Sequence, residues 1–259
     1  MRPFRNIWML EEIGLPYQHI PCKPWSKVAK SVHPLGKVPA LLVEYNGWHE
    51  AGGERSEEET TSKFVVVESA AINTFLGDLA REISTIEGAQ HQKPPLVPPP
   101  VTPQRAKYES LAMFIMTELD SQSLWIHRKH EALSNVFGEA PAAVQEARRQ
   151  FDNALAAVID ELSDSGSDAS SERDRYLLGS FSAVDILFAN CCIWAQQIRW
   201  LQKTPSATNN DENGTPTHLP PSLESYLRRC RSRPAFMRAK ELRNNQTYEK
   251  KDRTVKPKL

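Results

Sequence analysis

The stretch His33-Pro34-Leu35-Gly36-Lys37-Val38-Pro39-Ala40-Leu41-Leu42-Val43 sets two prolines and a glycine directly against a short apolar run. Pro34 and Pro39 fix φ and lack a backbone donor, Gly36 allows a tight turn, and Ala40 to Val43 has the composition of a buried strand. The chain therefore enters a strand through a constrained loop. A proline at that point leaves the N–H of Val38 unclaimed. A cis Val38–Pro39 bond would aim this group at an extended, peptide-like ligand, as the edge of a sheet does. From these residues alone an ordinary loop-to-strand junction fits as well.

Around that stretch, 259 residues with 40% apolar side chains suffice for one large or two modest domains. Lysine plus arginine balance aspartate plus glutamate at 32 each, so the basic surface that nucleic acid or an anionic membrane calls for is missing. No apolar run approaches the roughly 18 residues of a membrane span, and the N-terminus lacks a signal-peptide core. These features predict a cytoplasmic protein with no nucleic-acid or membrane partner. The four cysteines, Cys22, Cys191, Cys192 and Cys230, have no C-x-x-C spacing and read as reduced, buried thiols that form neither disulfides nor a metal site.

Phe4 to Gly14 reads as a helix that Gly14 ends and Pro16 keeps from restarting. Tyr17 to Pro21 is a short strand, Trp25 to Val32 a helix, and Ala40 to Tyr45 the strand of the opening stretch. Residues 46–63 form a polar loop; Phe64 to Val67 is a further strand, and Glu68-Ser69 opens a helix running to about Leu79. Residues 84–104 carry six prolines and read as a linker. The pattern thus divides into an α/β domain over 1–83, the linker 84–104, an all-helical domain over 105–245 and a basic tail over 246–259. In the helical part, Tyr108, Leu111, Ala112, Ile115 and Leu119 share one face, and Val144, Ala147, Phe151, Leu155, Val158 and Leu162 share another. Ser163 to Arg175 and 203–221 are loops. Ser182-Ala183-Val184-Asp185 is a capping box before the apolar helix Ile186 to Trp194, which belongs at the centre of the domain. Ser222 to Ser232 and Pro234 to Leu242 are two short helices.

This order of elements resembles the cytosolic glutathione S-transferases, whose N-terminal domain is thioredoxin-like and whose C-terminal domain is all-helical. Asn6 to Tyr17 is similar to the family's first helix and the turn into its second strand. His33 to Pro39 is similar to its Asn-Pro-Leu-Gly-Lys-Val-Pro loop, and Glu68-Ser-Ala-Ala-Ile72 to its Glu-Ser-x-Ala-Ile segment. In the second half, Thr117-Glu-Leu-Asp120, Leu178 to Asp185 and Arg233-Pro-Ala-Phe236 match the helical domain. Together these stretches span most of residues 4–242.

The resemblance supplies a site. Val38, beside Pro39, would exchange backbone hydrogen bonds with the cysteinyl part of glutathione; Glu68 and Ser69 would hold the γ-glutamyl end, and Lys37 would face the glycyl carboxylate. The chemistry suits the residues, since a serine at a helix N-terminus receives a carboxylate and a glutamate pairs with an ammonium. Plain helix capping is the competing role for Glu68 and Ser69, and a solvated loop lysine for Lys37. The implied reaction is attack of the glutathione thiolate, as co-substrate, on a small apolar electrophile between the two domains, without a metal. The implied assembly is a two-fold homodimer and the implied role detoxification. The competing class is a non-catalytic protein of this fold that binds glutathione, apolar ligands or a protein partner.

The departure lies at the start. Family members have a strand before the first helix, then a Ser, Tyr or Cys that activates or bonds the glutathione sulfur. The Ser-Arg-x-Phe-Arg of the bacterial-like, serine-type subgroup falls on Met1-Arg2-Pro3-Phe4-Arg5, so Met1 takes the serine position and the first strand is missing. The catalytic residue is thus unassigned, with Arg2 and Arg5 as minor candidates beside a helix terminus whose field contributes only ~0.3–1 kcal/mol. A sheet lacking that interior strand has two long unpaired edges. This suggests either an N-terminally truncated form of a longer protein or a genuinely short, non-catalytic one. A sheet of three strands with a cis Pro39 is expected.

Other residues carry less. A thioredoxin or glutaredoxin activity needs a cysteine opening the first helix, and none precedes Cys22. His127-Arg-Lys-His130 has a metal-compatible spacing but reads as a solvated helix end. Trp125, Met113 and Met116 either line the electrophile pocket or pack the core. Glu57-Glu58-Glu59 and Asp211-Glu212 are loop charges.

Overall fold

The computed structural model describes residues 2–45, 62–86, 95–164, 176–202 and 217–245. Met1, both acidic runs and the basic tail lie outside them. Helix α1 (Arg2–Ile13) packs against helices from both halves of the chain, so even its polar residues Arg5 and Asn6 are buried beside Phe4, Ile7, Trp8 and Leu10. It ends as its sequence requires: the Gly14 N–H donates to the Leu10 carbonyl at 2.8 Å with Gly14 at φ +77°.

The loop before the first strand is held by its glycine. Helix α2 (Lys27–Val32) is capped by Ser26, and the Gly36 carbonyl accepts from the Trp25 N–H at 2.6 Å, tying the loop to that cap. Gly36 sits at φ +58°, and a Cβ there would lie 2.9 Å from Lys30 Cγ and 3.2 Å from Trp25 Cα, so no other residue fits without movement. The Val38–Pro39 peptide is cis, as expected from the sequence.

Strand β1 (Ala40–Tyr45) pairs antiparallel with β2 (Ser62–Val67), with Ala40 opposite Val67 and Tyr45 opposite Ser62. Helix α3 (Ser69–Ile86) covers one face, where Phe64 and Phe75 meet edge-on at 5.5 Å. On the other face the cross-strand pair Leu42 and Val65 is 46% and 39% exposed. The expected three strands are therefore two among the described residues, because Tyr17 to Pro21 forms no strand. The reason is hydrogen bonding. The strand that the family resemblance sets between Tyr17–Pro21 and β1 has no counterpart among the described residues, and an extended segment without a neighbour has no ladder to join.

The helical half is built differently. Thr102 caps α4 (Pro103–Phe114), whose path continues through a π-helical stretch Ile115–Leu124, α5 (Trp125–His127), a second π-helical stretch Arg128–Ala132 and α6 (Ser134–Phe137). There follow α7 (Pro141–Asp164), α8 (Ala183–Gln197), a short parallel pairing of β3 (Leu201–Gln202) with β4 (Thr217–His218), α9 (Pro221–Ser232) and α10 (Pro234–Asn244). Helix α8 buries 12 of its 15 residues, which makes it the central helix its all-round apolar sequence predicts. Its capping box is closed. The Asp185 carboxylate accepts from the N–H of Ser182 at 2.9 Å, the N–H of Leu177 at 3.0 Å and the hydroxyl of Tyr226 at 2.9 Å.

Two further expectations are corrected. His127 is buried, with its ring edge-on to Trp200 at 5.2 Å, so it belongs to the core and is no solvated helix end. Its Nε2 lies 3.2 Å from Glu131 while His130 Nδ1 meets the Gly138 carbonyl at 2.9 Å, so the two rings serve different partners. Within the proline-rich stretch, α3 runs on to Ile86 and Val97 is fully buried, because Gly77 leaves room for it: a Cβ on Gly77 would lie 2.3 Å from Val97 Cγ2. No helix of the described residues is long and apolar enough to cross a membrane.

Candidate functional site

Four of the five candidate glutathione-holding residues lie around the termini of the sheet's strands. Val38 and cis Pro39 lead into β1 at Ala40, whose cross-strand partner Val67 is followed by Glu68 and Ser69. Register thus brings two sequence motifs, thirty residues apart, to one end of the sheet. Glu68 is exposed at φ +69°, a left-handed conformation uncommon for a glutamate, and its carbonyl accepts the first bond of α3 from the Ile72 N–H at 2.9 Å. The amides of Ser69, Ala70 and Ala71 precede that bond and carry the positive end of an 18-residue helix. Lys37, the fifth candidate, is exposed on the loop.

Ser69 is buried and bonded to α1. Its carbonyl accepts from Asn6 Nδ2 at 2.9 Å, and Asn6 also donates to Asn73 Oδ1 at 2.8 Å. Its Oγ accepts from Arg5 Nη1 at 3.2 Å, which leaves the hydroxyl proton available to an acceptor elsewhere.

Arg5 is the centre of this arrangement. Fully buried, it donates through Nε to Asn190 Oδ1 at 2.8 Å and through Nη2 to Cys191 Sγ at 3.2 Å, while Nη2 lies 2.6 Å from Asp120 Oδ2. Nη1 also reaches the Met116 sulfur at 3.2 Å. One guanidinium therefore joins α1, α3, the π-helical stretch and α8. Burial works against its charge, yet Asp120 more than offsets this and raises its hold on the proton. Asp120 answers in kind: burial alone would raise its carboxyl, but Arg5 and Arg2 together bring it below the usual value. Arg2 Nε donates to Asp120 Oδ1 at 3.0 Å, and the Arg2 guanidinium stands 4.9 Å from the centre of the Trp125 ring.

Both minor candidates for thiol activation are thus committed to Asp120, although Arg2 stays partly exposed. Of the pocket candidates, Trp125 and Met116 join this cluster, whereas Met113 is 58% exposed. Burial pushes the Cys191 thiol up to about 12 and raises that of Cys22, which keeps both as thiols at neutral pH. No group of residues suited to a metal occurs among the described residues. Sequence reading missed Asn190 and the part played by Asp120. A signal for Asp120 existed, an aspartate on an otherwise apolar helix face; Asn190 gave none, since only the fold brings it to Arg5.

Residues 3–79 match the family profile described as glutathione S-transferase, N-terminal domain. No curated protein matches the chain. Among solved structures, the chain is similar in fold to the glutathione transferase URE2P6 of Phanerochaete chrysosporium in complex with oxidized glutathione, at 18% identity and a TM-score of 0.60, covering 94% of this chain and 91% of that one. A glutathione transferase family member from Pseudomonas fluorescens with two glutathione bound has 18% identity and a TM-score of 0.59, over 92% of this chain and 87% of that one. Gtt2 from Saccharomyces cerevisiae has 16% identity and a TM-score of 0.59, over 92% and 95%.

Proposed function

Since this chain belongs through its N-terminal domain to the glutathione S-transferase family, we propose that it binds glutathione where β1 and α3 begin and conjugates the thiolate to a small apolar electrophile. The observation that carries the reading is Ser69: buried, at the first turn of α3, with Arg5 donating to its Oγ so that its own proton is left for another acceptor. A carboxylate meeting that hydroxyl and the free amides of the turn is neutralised without a lysine or arginine of its own. Exposed Glu68 takes the ammonium beside it. Val38 bonds the cysteinyl backbone, and Lys37 faces the glycyl carboxylate. The thiol then lies toward the start of α1, where the helix field and Arg2 favour the thiolate by less than about one pKa unit. Proximity to the electrophile supplies the rest. The protein acts in this reading as a cytoplasmic, detoxifying homodimer.

One observation favours a second reading, glutathione binding without turnover: both arginines at the start of α1 are engaged by Asp120. Calorimetric titration with glutathione and turnover of chlorodinitrobenzene separate the two. Binding with turnover supports the enzyme, and binding without turnover leaves the non-catalytic protein. Absence of binding rejects the site and its residues together.

A further inference from the structure

The charge balance of the whole chain conceals a local excess. From Ile13 to Val43 the sequence holds four lysines, Lys23, Lys27, Lys30 and Lys37, with no aspartate, glutamate or arginine. The same segment leaves large apolar side chains in the open: Ile20, Val28, Leu35 and Leu42 are 59%, 47%, 62% and 46% exposed. Trp25 lies half-buried in the same segment.

The fold brings the lysines together with two of those apolar side chains. On α2, Ala29 is buried, so Lys27, Val28, Lys30 and Ser31 take the outward arc. Lys30 Cγ passes within 2.9 Å of where a Cβ on Gly36 would lie, and the Gly36 carbonyl accepts from the Trp25 N–H. Exposed Leu35 and Lys37, on either side of that glycine, are thereby held beside α2. Lys23 joins them through its carbonyl, which accepts from the N–H of the capping Ser26 at 3.2 Å. Among the described residues Lys63 and Lys107 pair with Glu44 and Glu161 at 2.6 and 2.8 Å, whereas none of these four lysines has a carboxylate partner.

A surface that is basic, aliphatic and free of carboxylates complements a partner whose negative charge is spread over an apolar body. Lysine is a compact point charge, whereas recognition of single phosphates or carboxylates favours the paired donors of arginine, which this segment lacks. Nucleic acid would answer the charge but leave Val28 and Leu35 in water. We infer that α2 and the loop to Lys37 form a docking surface for the anionic face of a lipid bilayer. The lysines stand at headgroup level while Val28 and Leu35 enter the acyl boundary, where a tryptophan such as Trp25 is also at home. Peripheral attachment of this kind needs no spanning helix. The surface flanks Val38 and Pro39 but does not depend on the glutathione reading.

The test is co-sedimentation of the full chain with vesicles of phosphatidylcholine alone and with about 30% phosphatidylserine, the anionic lipid that basic surface patches bind. Binding is expected to the anionic vesicles, weaker by about tenfold or more to neutral ones, and lost at about 0.5 M salt, where screening is short-ranged. The double variant K27E/K30E, which leaves Lys37 intact, should weaken binding to anionic vesicles by about tenfold or more, and Leu35→Ser by about fivefold. The control K107E/K240E, an equal charge change at exposed lysines of α4 and α10, should stay within about twofold. No sedimentation with anionic vesicles, equal binding to neutral ones, or equal losses in K27E/K30E and K107E/K240E overturns the surface. Binding that polyglutamate abolishes and Leu35→Ser leaves unchanged overturns it too, in favour of an acidic protein segment. If K27E/K30E loses its cooperative melt, K27Q/K30Q is read by the same criteria.

Discussion

The two halves of the molecule reach order by different means. In the helical half α8 is enclosed on every side and its one buried carboxylate, Asp185, is met by Ser182, Leu177 and Tyr226. In the sheet half two strands lean on α3 along one face and leave Leu42 and Val65 open on the other. Helix α1 is shared between them, packing on α3, α8 and α10 at once, and α3 adds the Asp78–Arg105 pair and the Thr74–Tyr108 hydrogen bond to α4. The contrast teaches that the proposed binding residues, which belong to the thinner half by sequence, are fixed by the thicker half through Arg5. A site of this kind is only as firm as its tie to the second domain.

The largest expected effect comes from cutting that tie. Asp120→Ala leaves Arg5 buried and unpaired, and should cost about 3–5 kcal/mol in a urea melt. Loss of glutathione affinity should accompany it, although Asp120 is far from Val38 in sequence. An unchanged melt would mean that the halves do not depend on the Arg5–Asp120 tie. Because its neighbours lower the Asp120 carboxyl, as Arg105 and Arg81 lower that of Asp78, the unfolded chain takes up protons first on acidification. The stability due to both pairs is thus complete at neutral pH and drains as pH falls below about 4, through the lowered folded values. Asp120→Asn should flatten that acid limb.

Core truncations sharpen the contrast next. Phe188→Ala in α8 should cost about 3–5 kcal/mol, against about 1–2 kcal/mol for Phe64→Ala in β2, where one face is already open. Amide exchange should follow the same order, with β1 and β2 opening before α8. Ser69→Ala removes one acceptor from Arg5 and the proposed carboxylate donor, so it should weaken glutathione by about tenfold for about 1 kcal/mol of stability. Smallest is Lys37→Ala: with its ammonium in solvent it should change glutathione affinity by about 0.2–1 kcal/mol and stability not at all.

Much of the fold was legible because each piece carries a local reason. Gly14 ends α1, Ser182 and Asp185 cap α8, and Gly36 takes the one backbone conformation its loop needs. The Tyr17–Pro21 strand failed for a non-local reason, since strand propensity says nothing about whether a neighbour is there to pair. His127 failed because a histidine opening a His-Arg-Lys-His run reads as solvated, and only the approach of Trp200 buries it. Val38, Pro39, Glu68 and Ser69 could be named from sequence motifs, and register brings those motifs to one end of the sheet. The wiring behind Ser69 could not be read, because Arg5, Asp120 and Asn190 meet across 185 positions of chain.

The π-helical stretch Ile115–Leu124 carries a consequence for how this chain can change in length. Its hydrogen bonds span one residue more than those of an α-helix, so it holds a surplus residue that an α-helical path would expel. Removing a single residue between Ile115 and Leu119 would let that turn tighten to an α-helix while Asp120 keeps its facing toward Arg2 and Arg5. A one-residue deletion there is absorbed, whereas the same deletion in α8, which holds no surplus, would turn every residue beyond it by about 100°.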